Sequence, residues 1–223
     1  MTVCNAVRLA HMPLLRPEEE TKVHEWFAEL ERSVELLVGL GPEETPRAGS
    51  GDVDFGAEMM RVCEGLAELG ERVTCRVEEE PEGFPRFPAV SIRPDGRDAG
   101  VRYDGLPWGY ELGSLVGGIV EAGRPEPTLR PESLAALEEL DRDLTLEVFV
   151  TPTCPHCPPA VLLAFRCALA SERVTATAIE ANEFPQLSQE LGVRSVPRIV
   201  VDGEPRWDGS VPEPEFLSRL LAI

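Results

Sequence analysis

Two apolar rhythms alternate along this chain. Short runs rich in β-branched and aromatic residues read as strands: Leu36 to Leu40, Arg72 to Val77, Leu144 to Val150, Val174 to Ile179 and Arg198 to Val201. Between them apolar residues return at helical spacing. Val23, Trp26, Phe27, Leu30 and Val34 mark a helix that begins at Glu18 behind Pro17, its border with the first strand blurred around Ser33. Phe55 to Leu69 sets Met59, Val62, Cys63, Leu66 and Leu69 on one face, and Gly70 stops it. Further helices are predicted over Leu112 to Val120, Glu132 to Leu140, Pro158 to Ala170, the stretch holding Phe184, Leu187 and Leu191, and Phe216 to Leu221. Pro94-Asp95-Gly96-Arg97 joins Ala89–Arg93 to Ala99–Tyr103 as a hairpin, and Asp202-Gly203 joins Arg198–Val201 to Glu204–Trp207. Gly41 to Asp54 and Glu78 to Phe87 read as loops.

The pattern occurs twice. Val34–Leu40 precedes Leu144–Val150 by 110 residues, Phe87-Pro88-Ala89-Val90 precedes Val196-Pro197-Arg198-Ile199 by 109, and Asp95-Gly96 precedes Asp202-Gly203 by 107. Three landmarks at nearly one spacing predict a tandem duplication, each copy a βαβ unit followed by a hairpin and a helix. Arg124 to Arg130, with two prolines and no apolar run, is the expected linker. The predicted units are therefore 1–123 and 131–223, with 124–130 between them. The first copy has lost one element, because about ten residues separate Val77 from Pro88, too few for the helix that precedes Pro197 in the second.

Composition narrows the partners. The chain has 223 residues and a net charge of −19 with no basic cluster, which argues against nucleic acid or an anionic membrane surface. No apolar run reaches the ~20 residues of a membrane span. Met1 to Pro17 lacks the continuous apolar core of a signal peptide, so a cytoplasmic protein is expected. Six cysteines are too sparse for a disulfide scaffold, and only Cys154 and Cys157 lie close together.

That pair sits where a strand runs into a helix N-terminus, in Thr151-Pro152-Thr153-Cys154-Pro155-His156-Cys157-Pro158. The positive end of a helix and its free N–H groups favour thiolate over thiol. Cys154 is the expected attacking thiolate and Cys157 the resolving thiol. Pro155 and His156, between them, tune the thiolate. A zinc site is the competing reading, but Cys4, Cys63, Cys75 and Cys167 are single and scattered, with no second C-x-x-C. Covalent haem needs histidine after the second cysteine, where Pro158 stands. No glycine-rich phosphate loop is present, so no nucleotide, flavin or metal cofactor is expected. Glu180 and Glu147 are candidate bases for Cys157, Glu180 the better. Cys63, Cys75 and Cys167 are expected to be buried and inert, and Trp26, Trp108 and Trp207 to be packing residues.

A strand leading into Cys154-Pro155-His156-Cys157, a helix, and Val196-Pro197 before a hairpin resemble the thioredoxin and glutaredoxin superfamily. The tandem layout, with Val101-Arg102-Tyr103-Asp104-Gly105-Leu106-Pro107 and Phe149-Val150-Thr151-Pro152-Thr153-Cys154-Pro155, resembles the protein disulfide oxidoreductases of thermophiles over roughly residues 18–223. The N-terminal region of the alkyl hydroperoxide reductase flavoprotein is similar in layout. The resemblance implies an α/β fold of two tandem thioredoxin-like units, each a central mixed sheet flanked by helices. It implies thiol–disulfide exchange with disulfide or dithiol protein substrates, and recycling by a thioredoxin-reductase-like flavoprotein or a small-thiol reductant. It makes Pro197 a cis-proline facing the cysteine pair, with the Val196 backbone receiving an extended peptide, and Pro88 its counterpart. Pro155-His156 is similar to the dipeptide of strongly oxidising periplasmic enzymes. Glu180-Ala181-Asn182-Glu183-Phe184-Pro185 resembles an acidic stretch of the family.

One departure stands out: the family often carries a pair in both units, whereas Gly41 to Asp54 holds no cysteine. A shift of 110 places Glu44 and Arg47 where the pair would be, so a single redox centre and a platform role for the first unit are expected. Two alternatives stay open here, an electron carrier dedicated to one peroxidase or reductase and a non-catalytic zinc-binding or adaptor protein.

Overall fold

Each half of the chain builds a four-stranded sheet around one central apolar strand, and the two sheets fuse. In the computed structural model, which describes residues 14–42 and 53–222, the elements run α1 (Pro17–Ala28), β1 (Val34–Leu40), α2 (Phe55–Ala67), β2 (Val73–Glu79), β3 (Ala89–Pro94), β4 (Val101–Asp104) and α3 (Glu111–Ala122). The second half follows with α4 (Pro131–Glu138), β5 (Leu144–Val150), α5 (Cys157–Ala170), β6 (Val174–Glu180), α6 (Pro185–Glu190), β7 (Arg198–Val201), β8 (Glu204–Asp208) and α7 (Glu213–Leu221). Cys4, His11, Glu44 and Arg47, and most of the Gly41–Asp54 loop, lie outside the described residues.

The strand order β2-β1-β3-β4-β6-β5-β7-β8 states the duplication directly. Within each unit the first strand pairs parallel with the second and antiparallel with the third, and the third and fourth form a hairpin. The units join edge to edge, β4 running parallel to β6 from Val101↔Ala176 to Asp104↔Ile179. Edge pairing of this kind hides two rows of backbone polar groups that separate units would expose. Both hairpin turns carry an aspartate and a glycine at positive φ, Asp95 and Gly96 at 51° and 72° and Asp202 and Gly203 at 53° and 76°. Those are the angles of a two-residue turn whose twist matches its strands.

Helices α3 and α5 pack against one another across the junction. A Cβ on Gly117 would meet Leu162 at 2.7 Å and one on Gly118 would meet Ile92 at 2.7 Å and Phe165 at 3.0 Å, so close approach requires glycine at both. The main core runs unbroken through both units, from Phe27, Leu36 and Met59 to Val148, Phe165 and Phe216. On the opposite face the units differ. In the second, Phe184, Leu187 and Leu191 cover Phe149, Ile179 and Val200. In the first, where no helix separates β2 from β3, the loop side chains Phe84 and Phe87 cover Leu37 and Ala89 instead.

From the same loop Arg86 reaches across the junction, its Nε donating to Asp104 at 2.5 Å and its second guanidinium nitrogen to Glu147 at 3.0 Å. Glu147, a candidate base by sequence, is thus engaged by an arginine of the other unit. Asp104 is fully buried, and burial raises its pKa against the opposing pull of Arg86.

Two expectations need correction. Trp26 is 48 % exposed, because the buried face of α1 is Val23 and Phe27, about 60° and about 100° away from Trp26 around the helix. Val34 belongs to β1 and not to the first helix, which ends at Ala28.

Candidate active site

β5 delivers the chain to the site and α5 carries it away. After Val150 the backbone turns, with Cys154 N donating to Thr151 O at 3.1 Å and Cys157 N to Cys154 O at 3.4 Å. The helix opens on Cys157, one residue before the sequence-based start at Pro158. Cys154 and Cys157 form a disulfide with their Cα atoms 5.5 Å apart. Pro158 and Pro159 carry no N–H, so the first turn offers fewer amide donors than an ordinary helix start, and the dipole is left as the main backbone source of positive potential. His156 occupies the N-cap position, exposed beside exposed Pro155.

The two sulfurs differ in access. Cys154 keeps 8 % of its surface and Cys157 none, so incoming reagents meet Cys154 first. Cys154 Sγ lies 3.7 Å from the carbonyl oxygen of Val196, and the Val196–Pro197 bond is cis, as is Phe87–Pro88 in the first unit. A cleft of about 620 Å³ has Thr151, Asn182, Arg194 and Val196 among its lining residues.

Where β6 ends and α3 begins, buried carboxylates are contributed by both units. Glu180, at the end of β6, is almost fully buried. Its Oε1 accepts from Asn182 Nδ2 at 2.8 Å and its Oε2 from Glu183 N at 2.6 Å. Burial raises its pKa and those hydrogen bonds oppose the rise. Glu183 reaches back to the first unit, accepting from Leu106 N at 2.7 Å.

Glu111 is the residue that sequence reasoning missed. It opens α3, directly after Tyr110, whose N–H donates to Pro152 O at 2.9 Å and so ties the first unit to the thiol loop. Gly109 makes that seat possible, at φ 60° and with Pro152 O where a Cβ would be. Glu111 is fully buried, with Oε2 accepting from Ser114 Oγ at 2.8 Å and Oε1 without a hydrogen-bond partner among the described residues. Burial, with a further push from the charge of Glu180, lifts its pKa to about 7. The Tyr103 hydroxyl, also buried and unpartnered among the described residues, is driven well above its usual range by burial and then by Glu111 and Glu180. A carboxyl that changes charge near pH 7, next in sequence to a residue bonded to the thiol loop, is suited to proton transfer.

The remaining described cysteines are of another kind. Burial pushes Cys63 well above the ordinary thiol range and Cys167 up to about 12; Cys75, only half-buried, is pushed up to about 11. Among the described residues no three His, Cys, Asp or Glu side chains are gathered as ligands for a metal ion. Alkylation of the reduced native protein, followed by peptide mass mapping, should therefore label Cys154 first. Cys157 should follow more slowly, since it is fully buried, and Cys63 and Cys167 should react only on unfolding. Fast labelling of Cys63 or Cys167 would contradict the packing described above.

Fold and site together give the thioredoxin fold in a tandem two-unit form, with a disulfide-bonded cysteine pair at a strand-to-helix turn of the second unit. Residues 144–222 match the thioredoxin domain family. The structure superposes on a protein disulfide oxidoreductase from Aeropyrum pernix with a TM-score of 0.80 and 25 % identity, covering 94 % of each chain. It superposes equally well on the N-terminal domain of alkylhydroperoxide reductase AhpF from Enterococcus faecalis, with a TM-score of 0.82 and 24 % identity over 92 % of this chain and 99 % of that one. The F subunit of alkyl hydroperoxide reductase from Staphylococcus epidermidis is 22 % identical over 207 residues, which make up 93 % of this chain and 38 % of that protein. The chain thus spans little more than a third of the length of the curated relatives it matches.

Proposed function

We propose that this chain exchanges disulfides with protein substrates, Cys154 attacking and Cys157 resolving. The observation that carries the reading is the Cys154–Cys157 disulfide at the mouth of α5, with the sulfur of the more accessible cysteine 3.7 Å from the carbonyl of Val196, a residue that lines a neighbouring cleft. In the reducing direction the Cys154 thiolate attacks one sulfur of a substrate disulfide. The Cys154–substrate bond forms, and the other substrate sulfur leaves as a thiolate that takes up a proton. Cys157 then loses its proton and attacks Cys154 Sγ, closing the intramolecular disulfide and releasing the second substrate thiolate, which is protonated in turn. Two electrons and two protons pass to the substrate, and an external dithiol must return them.

Val196 and Pro197 form the floor on which an extended substrate peptide pairs through its backbone. Pro155 and His156 set the thiolate's stability, and Glu111 and Glu180, as a coupled pair, move the protons. The first unit (1–123) is a platform that supplies Glu111, the linker is 124–130, and the second unit (131–223) holds the dithiol. The net charge of −19 speaks against nucleic acid and anionic membrane as partners, and among the described residues no helix is long and apolar enough to cross a membrane. We place the protein in the cytoplasm, with a flavoprotein reductase returning its electrons.

The likeness to the F subunit of alkyl hydroperoxide reductase favours a second reading, in which the same dithiol carries electrons to one dedicated peroxidase. Turnover of generic protein disulfides separates the two. The test common to both is the reduction potential of the pair, by equilibration in thiol buffers. A two-electron couple near about −270 mV marks a reductant and one near about −120 mV an oxidant. Absence of any two-electron couple, with zinc retained by the purified chain, would end the exchange reading.

A further inference from the structure

The cleft beside the thiol loop carries a charge of its own. Thr151, Asn182, Gln189, Arg194, Ser195 and Val196 are among its lining residues, and among the described residues Arg194 is the one charged side chain on its walls. Carboxylates outnumber basic groups in this chain by 40 to 21, yet among the described residues none lines the cleft. Many of the other arginines are neutralised where they stand: Arg76 by Glu35, Arg142 by Asp202, Arg198 by Asp208 and Arg219 by Glu215. Arg194 is exposed and has no ion-pair or hydrogen-bond partner among the described residues.

Its position gives the free charge a direction. Arg194 stands two residues before Val196, whose carbonyl oxygen lies 3.7 Å from Cys154 Sγ. Two residues span at most about 7 Å of backbone, the same length that two residues of an extended substrate cover. A peptide lying across Val196 with its cysteine on Cys154 therefore brings a residue one or two positions from that cysteine over the arginine.

We propose that Arg194 makes the site selective for extended peptides whose reactive cysteine is flanked, within two residues, by Asp or Glu. The inference rests on the exchange reading given above and names the substrate class for that site. The overall negative charge repels an acidic partner at long range, so one local cation does not attract such partners in general. It makes one register the favourable one: a carboxylate seated at Arg194 is paired, and elsewhere along the cleft it meets uncharged side chains.

The test uses the full chain, reduced beforehand, and three peptides that each carry one cysteine as a mixed disulfide with 2-thiopyridine. The peptides differ only in having Glu, Gln or Lys beside the cysteine. The readout is the ratio of the single-turnover second-order rate constants of 2-thiopyridone release for the Glu and Lys peptides within each protein, so any general change in activity cancels. The wild type should favour the Glu peptide by about fivefold at low salt, the scale of a partly exposed ion pair. That ratio should shrink at 0.5 M NaCl, where the screening length is only about 4 Å. Arg194→Lys should keep the preference, Arg194→Gln should bring the ratio to about one, and Arg194→Glu should invert it.

A wild-type ratio at or below one, or an unchanged ratio in Arg194→Glu, overturns the selectivity and leaves the exchange reading standing. If none of the three peptides is turned over by the folded, reduced wild type, exchange itself fails and the selectivity falls with it.

Discussion

Replacing Cys154 with serine should abolish disulfide reduction, by at least ~100-fold, because a serine hydroxyl is not ionised at neutral pH and is a poor nucleophile toward sulfur. Replacing Cys157 with serine should produce a different failure. Cys154 still attacks, the first substrate thiolate still leaves, and the reaction stops at the Cys154–substrate disulfide for want of a resolving thiol. The variant should therefore accumulate a one-to-one covalent adduct, visible as a mass increase and released by dithiothreitol. The asymmetry follows from access: Cys154 keeps 8 % of its surface and Cys157 none, so exchanging their roles would require the buried sulfur to meet substrate first. Full activity in Cys154→Ser, or an adduct on Cys157 in that variant, would refute the assignment. Substitutions at Cys63 and Cys167 should change packing alone, since both are fully buried away from the pair.

The dithiol and its frame were legible in the sequence for a local reason. Cys154, Cys157, the strand ahead and the helix behind occupy one short stretch, and each element is recognisable from its own residues. The hairpins were legible too, because Asp95-Gly96 and Asp202-Gly203 fix their turns at positive φ whatever surrounds them. Spacing alone showed that the first unit lacks a helix before Pro88. It did not show that Phe84 and Phe87 would fold over Leu37 in its place, since a short loop with two phenylalanines has no period to read.

What escaped depends on how the units meet. The β4–β6 pairing that fuses two sheets into one joins strands more than seventy residues apart, and nothing in either strand specifies its neighbour. The link from Arg86 to Asp104 and Glu147 follows from that pairing and was equally invisible. Glu111 is the instructive case. An acid in the first turn of a helix ordinarily reads as an exposed partner of the dipole, but Glu111 is fully buried where Pro152 of the second unit lies against the residues that lead into α3. The available hint was composition: Glu111 is followed by the apolar, glycine-rich stretch LGSLVGGIV, which predicts a helix buried on most sides.

Glu111→Gln should stabilise the protein at high pH and cripple its proton transfer there. The carboxyl titrates near 4.5 in the unfolded chain and at about 7 in the folded one. A pKa raised by folding means that the folded state prefers the neutral form. The stability tied to neutral Glu111 is fully present below about 4.5 and is lost as pH rises through 7. Above that, the fold carries a buried carboxylate close to the charge of Glu180. The gap between the two values corresponds to roughly 3 kcal/mol at 1.36 kcal/mol per pH unit.

Glutamine keeps the shape, and its carbonyl can still accept from Ser114, but it never ionises. Denaturant melts of wild type and Glu111→Gln should therefore nearly coincide at pH 4 and separate progressively, with the variant more stable by roughly 2–3 kcal/mol at pH 8.5. The kinetics should move the other way. If Glu111 takes the proton of Cys157, the rate of resolution in the wild type inflects near pH 7, and in the variant that inflection disappears with a loss of about 100-fold. A stability gap that does not change with pH would mean that Glu111 is not the buried acid described here. A retained inflection with the expected stability gap would leave Glu111 buried but idle and pass the role to Glu180, for which Glu180→Gln gives the same pair of measurements.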